Sequence, residues 1–458
     1  MIEILYGLAS GMLMQRGEDD TCDILIGMKA PGDVVASTGS LTEIGLNDGV
    51  REFRLTGIPV GGPYTLTLIS GFDRLTLRDL YVGDLWMLAG QSNMVGFSRY
   101  NEDSRHTLRD DSLRGLYMCD KWFAANPLLH QDWRSEEHMF AAIDCGEIVP
   151  PKKIYPGGVG PGYYLLKEMK RFSGVPQGAI PCAAGGTGMD NWVPYRKFDN
   201  RDSLYGNMLY RFRLAGSHVR GLFWYQGCTD AMNKADERFT RLVTELFQAI
   251  REDFHNPELP IVQYQLFSYQ ASEDPRVWQA FSSVREQQRK MTELFEHFDT
   301  VATLGSETDD SIHLTGDSHK RLAPLAAESM AHLCYDPEGK HTTPAPALDS
   351  IHSSFHVGEH NDRIIEVKFK NLHGDLRSVG QPTGFALSKS PDCVDTHLAF
   401  KCYLRGDTVV VRHLASEEEL PNLYLWYAYG CDLHANITDT EDRPIPAFGP
   451  IPLKDTLS

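Results

Sequence analysis

Short apolar runs recur through the middle of the chain, each closed by glycine or a polar turn. They are Leu85–Ala89, Gln177–Ala184, Gly221–Tyr225, Pro260–Phe267 and Thr300–Leu304. Runs of this length read as fully buried strands. Between them the apolar period lengthens from continuous to 3.6. Tyr164, Leu165, Met169 and Phe172 mark one helix, ending at Gly174 as a C′ glycine. Phe239, Leu242, Val243, Leu246, Phe247, Ile250 and Phe254 mark the clearest. Val277, Phe281 and Val284 mark a third, and a fourth follows His313 through about Met330, disturbed by Pro324. Strand and helix in alternation predict an α/β fold built on a parallel, doubly wound sheet.

The flanks read differently. Residues 1–80 alternate in short stretches such as Glu52–Leu55 and Tyr64–Leu68, punctuated by Pro31-Gly32-Asp33 and Gly61-Gly62-Pro63. After a Pro-containing linker at 341–348, further β runs appear at 364–369, 408–412 and 423–427. Three domains follow: an N-terminal β-rich domain over 1–80, a catalytic α/β domain over 81–338, and a C-terminal β-rich domain over 339–458. Residues 97–160 show few periodic runs and form an irregular insertion within the second.

A net charge of −18 on 458 residues argues against nucleic acid and anionic membranes as partners. No run approaches the length of a membrane span. The nine cysteines are scattered with no CxxC pair, the usage of a reducing compartment. The N-terminus lacks a basic n-region and a long apolar core, so a cytoplasmic location is expected, or a secreted or periplasmic one if a leader has been removed. The oligomeric state is not legible.

Candidate chemistry gathers where the apolar runs end. Gly90-Gln91-Ser92-Asn93 leaves the first strand at its carboxyl edge, where open α/β sheets bind ligands. A serine on that turn presents its hydroxyl and its own backbone N–H to an oxyanion; it would equally serve to cap the next helix. Gly185-Gly186-Thr187-Gly188 follows the second run, and is either an oxyanion donor or simply a tight turn. Gln226 ends the third, as a side-chain donor or an ordinary polar strand end. Asp310-Ser-Ile-His313 sits after the fifth strand and before a helix, a spacing that lets the carboxylate orient the imidazole. An acid three residues before a histidine occurs five times, at His106, His255, His313, His341 and His352, and Asp349-Ser-Ile-His352 repeats the same four letters. His313 is preferred because it lies between strand and helix. Asp310, His313, Asp317 and His319 also hold metal-ligand residue types, but no HExxH-like spacing supports a metal, and none is expected. Trp192 would line the pocket or pack the core. Trp122, His130, Trp133 and His138 in the insertion, with Asn93 beside the serine, are the remaining candidates for ligand contact.

Taken together, Gly83-Asp84-Leu85-Trp86, Gly90-Gln91-Ser92-Asn93-Met94, Val175-Pro176-Gln177-Gly178, Gly185-Gly186-Thr187, Trp224-Tyr225-Gln226-Gly227 and Asp310-Ser311-Ile312-His313-Leu314 resemble the sialate O-acetylesterase-like branch of the SGNH (GDSL-like) hydrolases. Gly11–Arg16, Gly61–Tyr64 and Pro444–Phe448 extend the likeness over nearly the whole chain. The resemblance implies a three-layer α/β/α catalytic domain with sandwich- or jelly-roll-like β flanks. It implies Ser92 as nucleophile, His313 as base and Asp310 as its orienter. The oxyanion hole would comprise Ser92, Gly185 or Gly186, and Gln226, with Gly185 favoured. No cofactor is implied, and the substrate would be an acetylated mono-, oligo- or polysaccharide. One position departs from the pattern: the family carries Trp-x-Gln-Gly-Glu, and Cys228 stands in place of that glutamate. The alternative reading is therefore a catalytically impaired carbohydrate-binding protein.

Overall fold

The structure is a computed structural model, and it describes residues 1–30, 34–37, 42–45, 50–98, 109–130, 143–144, 147–148, 158–354 and 363–456. The chain divides into two compact units: residues 1–224 with 245–260, and residues 225–244 with 261–458.

The first unit is organised by one long strand, Asp73–Gly90. Its first half pairs antiparallel with Gly61–Ser70 and parallel with Leu13–Gln15; its second half pairs parallel with Gln177–Pro181. The expected border near residue 80 thus falls inside a continuous strand. From Tyr81 onward every residue of that strand is buried. Leu113–Leu116, within the expected irregular insertion, is also a strand, parallel to Gln177–Ala179, with Trp122–Ala124 antiparallel at its edge. Arg114 and Gly115 interrupt its apolar run, so four buried residues carried no periodic signal. The strand order in this unit is Trp122–Ala124, Leu113–Leu116, Gln177–Pro181, Asp73–Gly90, Gly221–Tyr225.

The family-like motifs turn out to be joints of this framework. A Cβ on Gly83 would lie 2.0 Å from the Pro176 carbonyl oxygen, so only glycine permits that approach. Asp84, fully buried, accepts from Arg16 through both oxygens (Nε 2.9 Å, Nη2 2.8 Å). Gln15 adds a bond to Asp84 at 3.2 Å and accepts the Leu85 N–H at 2.7 Å. Trp86 donates to Gln177 Oε1 across the parallel pair at 2.7 Å. The helix Gly162–Ser173 ends as its pattern predicts, with Gly174 left-handed (φ 73°) and donating to Lys170.

In the second unit, Ile261–Tyr264 pairs parallel with Phe298–Val301. Asp274 caps the helix Pro275–Leu294 through the Arg276 N–H, and Thr315 caps Gly316–Tyr335 through the Ser318 N–H. The latter helix continues through Pro324, where the sequence predicted a disturbance. Leu322, Ala323, Ala326 and Ala327 are all buried around it, and this packing outweighs one missing donor. The C-terminal β region forms a four-stranded sheet (347–354, 363–370, 408–413, 399–405) and a three-stranded one (385–388, 424–427, 448–452). Ile365, Val367, Val409 and Val411 share one core with Leu387, Leu425, Tyr427 and Phe448. Gln265 exchanges two 2.9 Å bonds with Ala447, tying the Pro444–Phe448 motif to the strand exit after Tyr264. The fold class is α/β with parallel central strands and β-rich flanks, as the sequence implied.

Because Asp84 is buried and bound bidentately, Asp84→Ala takes two charge-assisted bonds from the Arg16 guanidinium, leaving it Asp20, and should destabilise the protein by about 1–3 kcal/mol. A lowered urea midpoint checks this.

Candidate active site

In the first unit, the long strand ends at Gly90, which has φ 130°, and Ser92 opens a single helical turn, Ser92–Val95. Gln91, not Ser92, occupies the cap position, and no side chain caps this turn. The capping role that would have explained the serine is therefore not one it performs. Ser92 and Asn93 are both buried, at 5% and 1% exposure. The neighbouring chain stays tied to the same strand: Cys182 N–H donates to Leu88 (2.7 Å) and Ala184 N–H to Gly90 (3.0 Å). Gly185 follows at once, and a Cβ built on it would lie 3.9 Å from Ser92 Cβ and 2.9 Å from the Phe97 ring. The serine turn and the glycine loop are thus in van der Waals reach, with Gly185 and Gly186 exposed. Thr187 Oγ1 closes the loop by donating to the Ala184 carbonyl at 2.8 Å.

In the second unit, one turn builds the Asp–His pair. Asp310 Oδ1 accepts the N–H groups of Ile312 and His313, each at 2.8 Å, and Oδ2 lies 2.6 Å from His313 Nδ1. An ionised carboxylate only accepts, so the ring proton belongs on Nδ1 and Nε2 is the basic nitrogen. Partial burial works against the charged carboxyl. The bonds from the His313 ring and the His313 and Ile312 amides outweigh it and hold the Asp310 pKa below the ordinary 3.8. The identical letters Asp349–His352 lie on the strand Ala347–Ser354, in extended backbone rather than on a turn.

Gln226 is fully buried after the strand Gly221–Tyr225. Its Oε1 accepts the Gly227 N–H, which turns the amide's NH2 end away from that amide group. Its backbone carbonyl accepts from Gln288 Nε2 at 2.9 Å, while Gln288 Oε1 takes the Leu266 N–H at 2.9 Å. Gln288 is the support that sequence reasoning missed. Its signal was present: it is the one polar member of the stripe Val277, Phe281, Val284, Gln288, Met291, and it is fully buried. Cys228 is buried at the first position of the short helix Cys228–Met232.

Other candidates are placed inside the protein. Trp192 is 1% exposed and meets Trp224 edge to face at 5.3 Å, a core position. Trp122 is buried on its edge strand. His130 is buried with Nε2 2.9 Å from the Ala183 carbonyl, and burial pushes its pKa down to about 3, so a neutral ring donates there. Its buried Nδ1 has no hydrogen-bond partner among the described residues. His138 and Trp133 lie outside the described residues. His319 is buried, and burial first, then the nearby His313, pushes its pKa down to about 3. Among the described residues, no three His, Cys, Asp or Glu side chains gather closely enough to hold a metal ion.

The model of a family of carbohydrate esterases, described as sialic acid-specific acetylesterase, matches residues 82–332. The chain belongs to this family. It is accordingly a carboxylic ester hydrolase by family. A "probable carbohydrate esterase" of Arabidopsis thaliana is 28% identical over 204 residues, covering 40% of this chain and 69% of the plant protein. The crystal structure of a carbohydrate acetylesterase from Xanthomonas citri superposes with a TM-score of 0.72 at 19% identity, over 98% of this chain and 99% of that one. At that identity the likeness is one of fold, and it includes the β-rich flanks of this family member.

Replacing Gln288 by Ala leaves the Gln226 carbonyl and the Leu266 N–H buried without this partner. Gln288→Ala should cost about 1–3 kcal/mol of stability. If Gln226 serves the reaction, the variant should lower kcat for p-nitrophenyl acetate more than it changes KM. Urea unfolding and steady-state kinetics check the two effects separately.

Proposed function

We propose that this carbohydrate esterase removes O-acetyl groups from a sugar or glycan by a serine mechanism. The observation that carries the reading is the Asp310–His313 turn, which holds one imidazole nitrogen on a carboxylate and leaves the other basic. The closeness of Ser92 to Gly185 supports it from the other unit.

In this reading Ser92 Oγ attacks the acetyl carbonyl carbon while His313 Nε2 takes the hydroxyl proton. Asp310 holds the imidazole in the required tautomer and stabilises the imidazolium that forms. The Ser92 and Gly185 backbone N–H groups and the Gln226 NH2 group donate to the developing oxyanion. Collapse breaks the bond to the sugar oxygen, which leaves with the proton from His313. Water then attacks the acetyl-serine, with His313 again as base, and releases acetate. Cys228 in place of the family's glutamate is compatible with this scheme, since Gln288 supports Gln226 through its backbone.

Ser92→Ala should abolish acetate release from acetylated glycans and from p-nitrophenyl acetate. A folded wild type that binds glycan but frees no acetate would overturn the esterase reading in favour of a binding protein.

Asp310→Asn should lower kcat by about 10²- to 10⁴-fold by losing the tautomer lock. The Asp310 pKa is lowered on folding, so its contribution to stability is complete above its unfolded pKa and is lost as pH falls through the lower folded value. Acid loss of this turn therefore sets in below the ordinary 3.8. An acid titration followed by circular dichroism, with Asp310→Asn as comparison, checks the sign.

A further inference from the structure

The segment that leaves the glycine loop carries apolar side chains at every third position: Met189, Trp192, Tyr195 and Phe198. The first two point inward, at 0% and 1% exposure. The last two face water, at 80% and 86%. Tyr195 and Phe198 belong to one 3-10 helix, Pro194–Asp202. At three residues per turn, positions i and i+3 eclipse, so the two rings stand on one face about 6 Å apart along the axis, roughly one sugar ring's length. The intervening Arg196 and Lys197 are less exposed than either ring.

This pair is held rather than loose. Gly188 N–H donates to Asn191 Oδ1 at 2.9 Å, and Asn191 and Trp192 N–H groups return to Gly188 and Met189 at 3.0 Å. Lys197 Nζ meets Asp253 at 2.8 Å and lies 5.6 Å from the Phe198 ring centroid. Ser203 Oγ donates to the Arg196 carbonyl at 2.8 Å. Two large rings held side by side in water form a contiguous apolar patch rather than scattered single side chains.

We propose that Tyr195 and Phe198 form a ledge that seats an uncharged glycan chain, making this enzyme prefer acetylated oligo- and polysaccharides over acetylated monosaccharides. The proposal rests on the acetylesterase reading above. Three features choose the occupant. The ledge lies on the segment that leaves the glycine loop, ten and thirteen residues beyond Gly185, and a Cβ on Gly185 would lie 3.9 Å from Ser92 Cβ. Flat rings at one-sugar spacing suit the apolar C–H faces of successive pyranoses. Within a chain of net charge −18, residues 190–202 carry three basic and three acidic side chains, so the ledge neither repels nor selects charge.

The test compares wild type with Tyr195→Ala/Phe198→Ala on acetylated xylan, acetylated glucomannan and p-nitrophenyl acetate. Losing both rings should lower kcat/KM on at least one polysaccharide by about tenfold or more, mainly through KM, with p-nitrophenyl acetate unchanged. An equal loss on p-nitrophenyl acetate would overturn the proposal, as would unchanged turnover of both polysaccharides. So would activity confined to acetylated sialic acid, or a wild-type dimer that the double variant breaks while polysaccharide kinetics stay the same. If wild type frees no acetate from any glycan, the esterase reading fails by itself. The ledge is then read by affinity electrophoresis of Ser92→Ala in gels holding deacetylated xylan or glucomannan. Retardation that vanishes in the triple variant upholds it, and equal mobility of the two overturns it.

Discussion

Asp84 is a carboxylate with no water around it, and much of the first unit depends on how its charge is met. Arg16 answers it with a two-pronged contact, and Gln15 binds both Asp84 and the next backbone amide. Removing Arg16 would take the cation from a fully buried carboxylate, which costs far more than the pair gains over apolar packing. The pair therefore acts chiefly as a register lock. It fixes Leu13–Gln15 alongside the long strand, and the glycine before it lets the Pro176 carbonyl close in on the other side. The strand so placed ends at the turn that carries Ser92. The motif that precedes Ser92 is a structural joint.

The second unit secures its joints through backbone groups instead. Gln265, Gln288 and Arg285 are all buried, and each bonds backbone rather than side chains. Arg285 donates to the carbonyls of Leu266, Phe267, Ala428 and Gly430, which fastens the C-terminal β region to the strand exit after Tyr264. Backbone groups at such junctions have no ladder partner, so a side chain must supply one or the carbonyls pay the desolvation penalty. The β flank is part of the unit that carries Asp310, His313 and Gln226, not an appendage on a linker.

The substitution of cysteine for the family's glutamate gains meaning in this setting. An acid at 228 would be a charged group in a buried place and would require a partner. Cys228 asks for none, and the neighbouring Gln226 is secured through its main chain by Gln288. The main chain at Gln226 is thus held by a hydrogen bond from a neutral amide.

Periodicity along the chain was enough to find the strands, most helices and the helix stop at Gly174, because those depend on residues within one or two turns of each other. The Asp310–His313 turn was legible for the same reason: the carboxylate and the amides it binds are three residues apart. Leu113–Leu116 was not, since Arg114 and Gly115 mask a strand recognisable only by its partner. Two identical Asp-Ser-Ile-His stretches were indistinguishable by letters, and only strand pairing made one extended and left the other a turn. Whether Trp192, Trp122 and His130 faced a ligand or the core was likewise decided by which surfaces covered them. Local spacing determines what a segment of this protein can form; burial and pairing, supplied by residues distant in sequence, decide which of those possibilities it keeps.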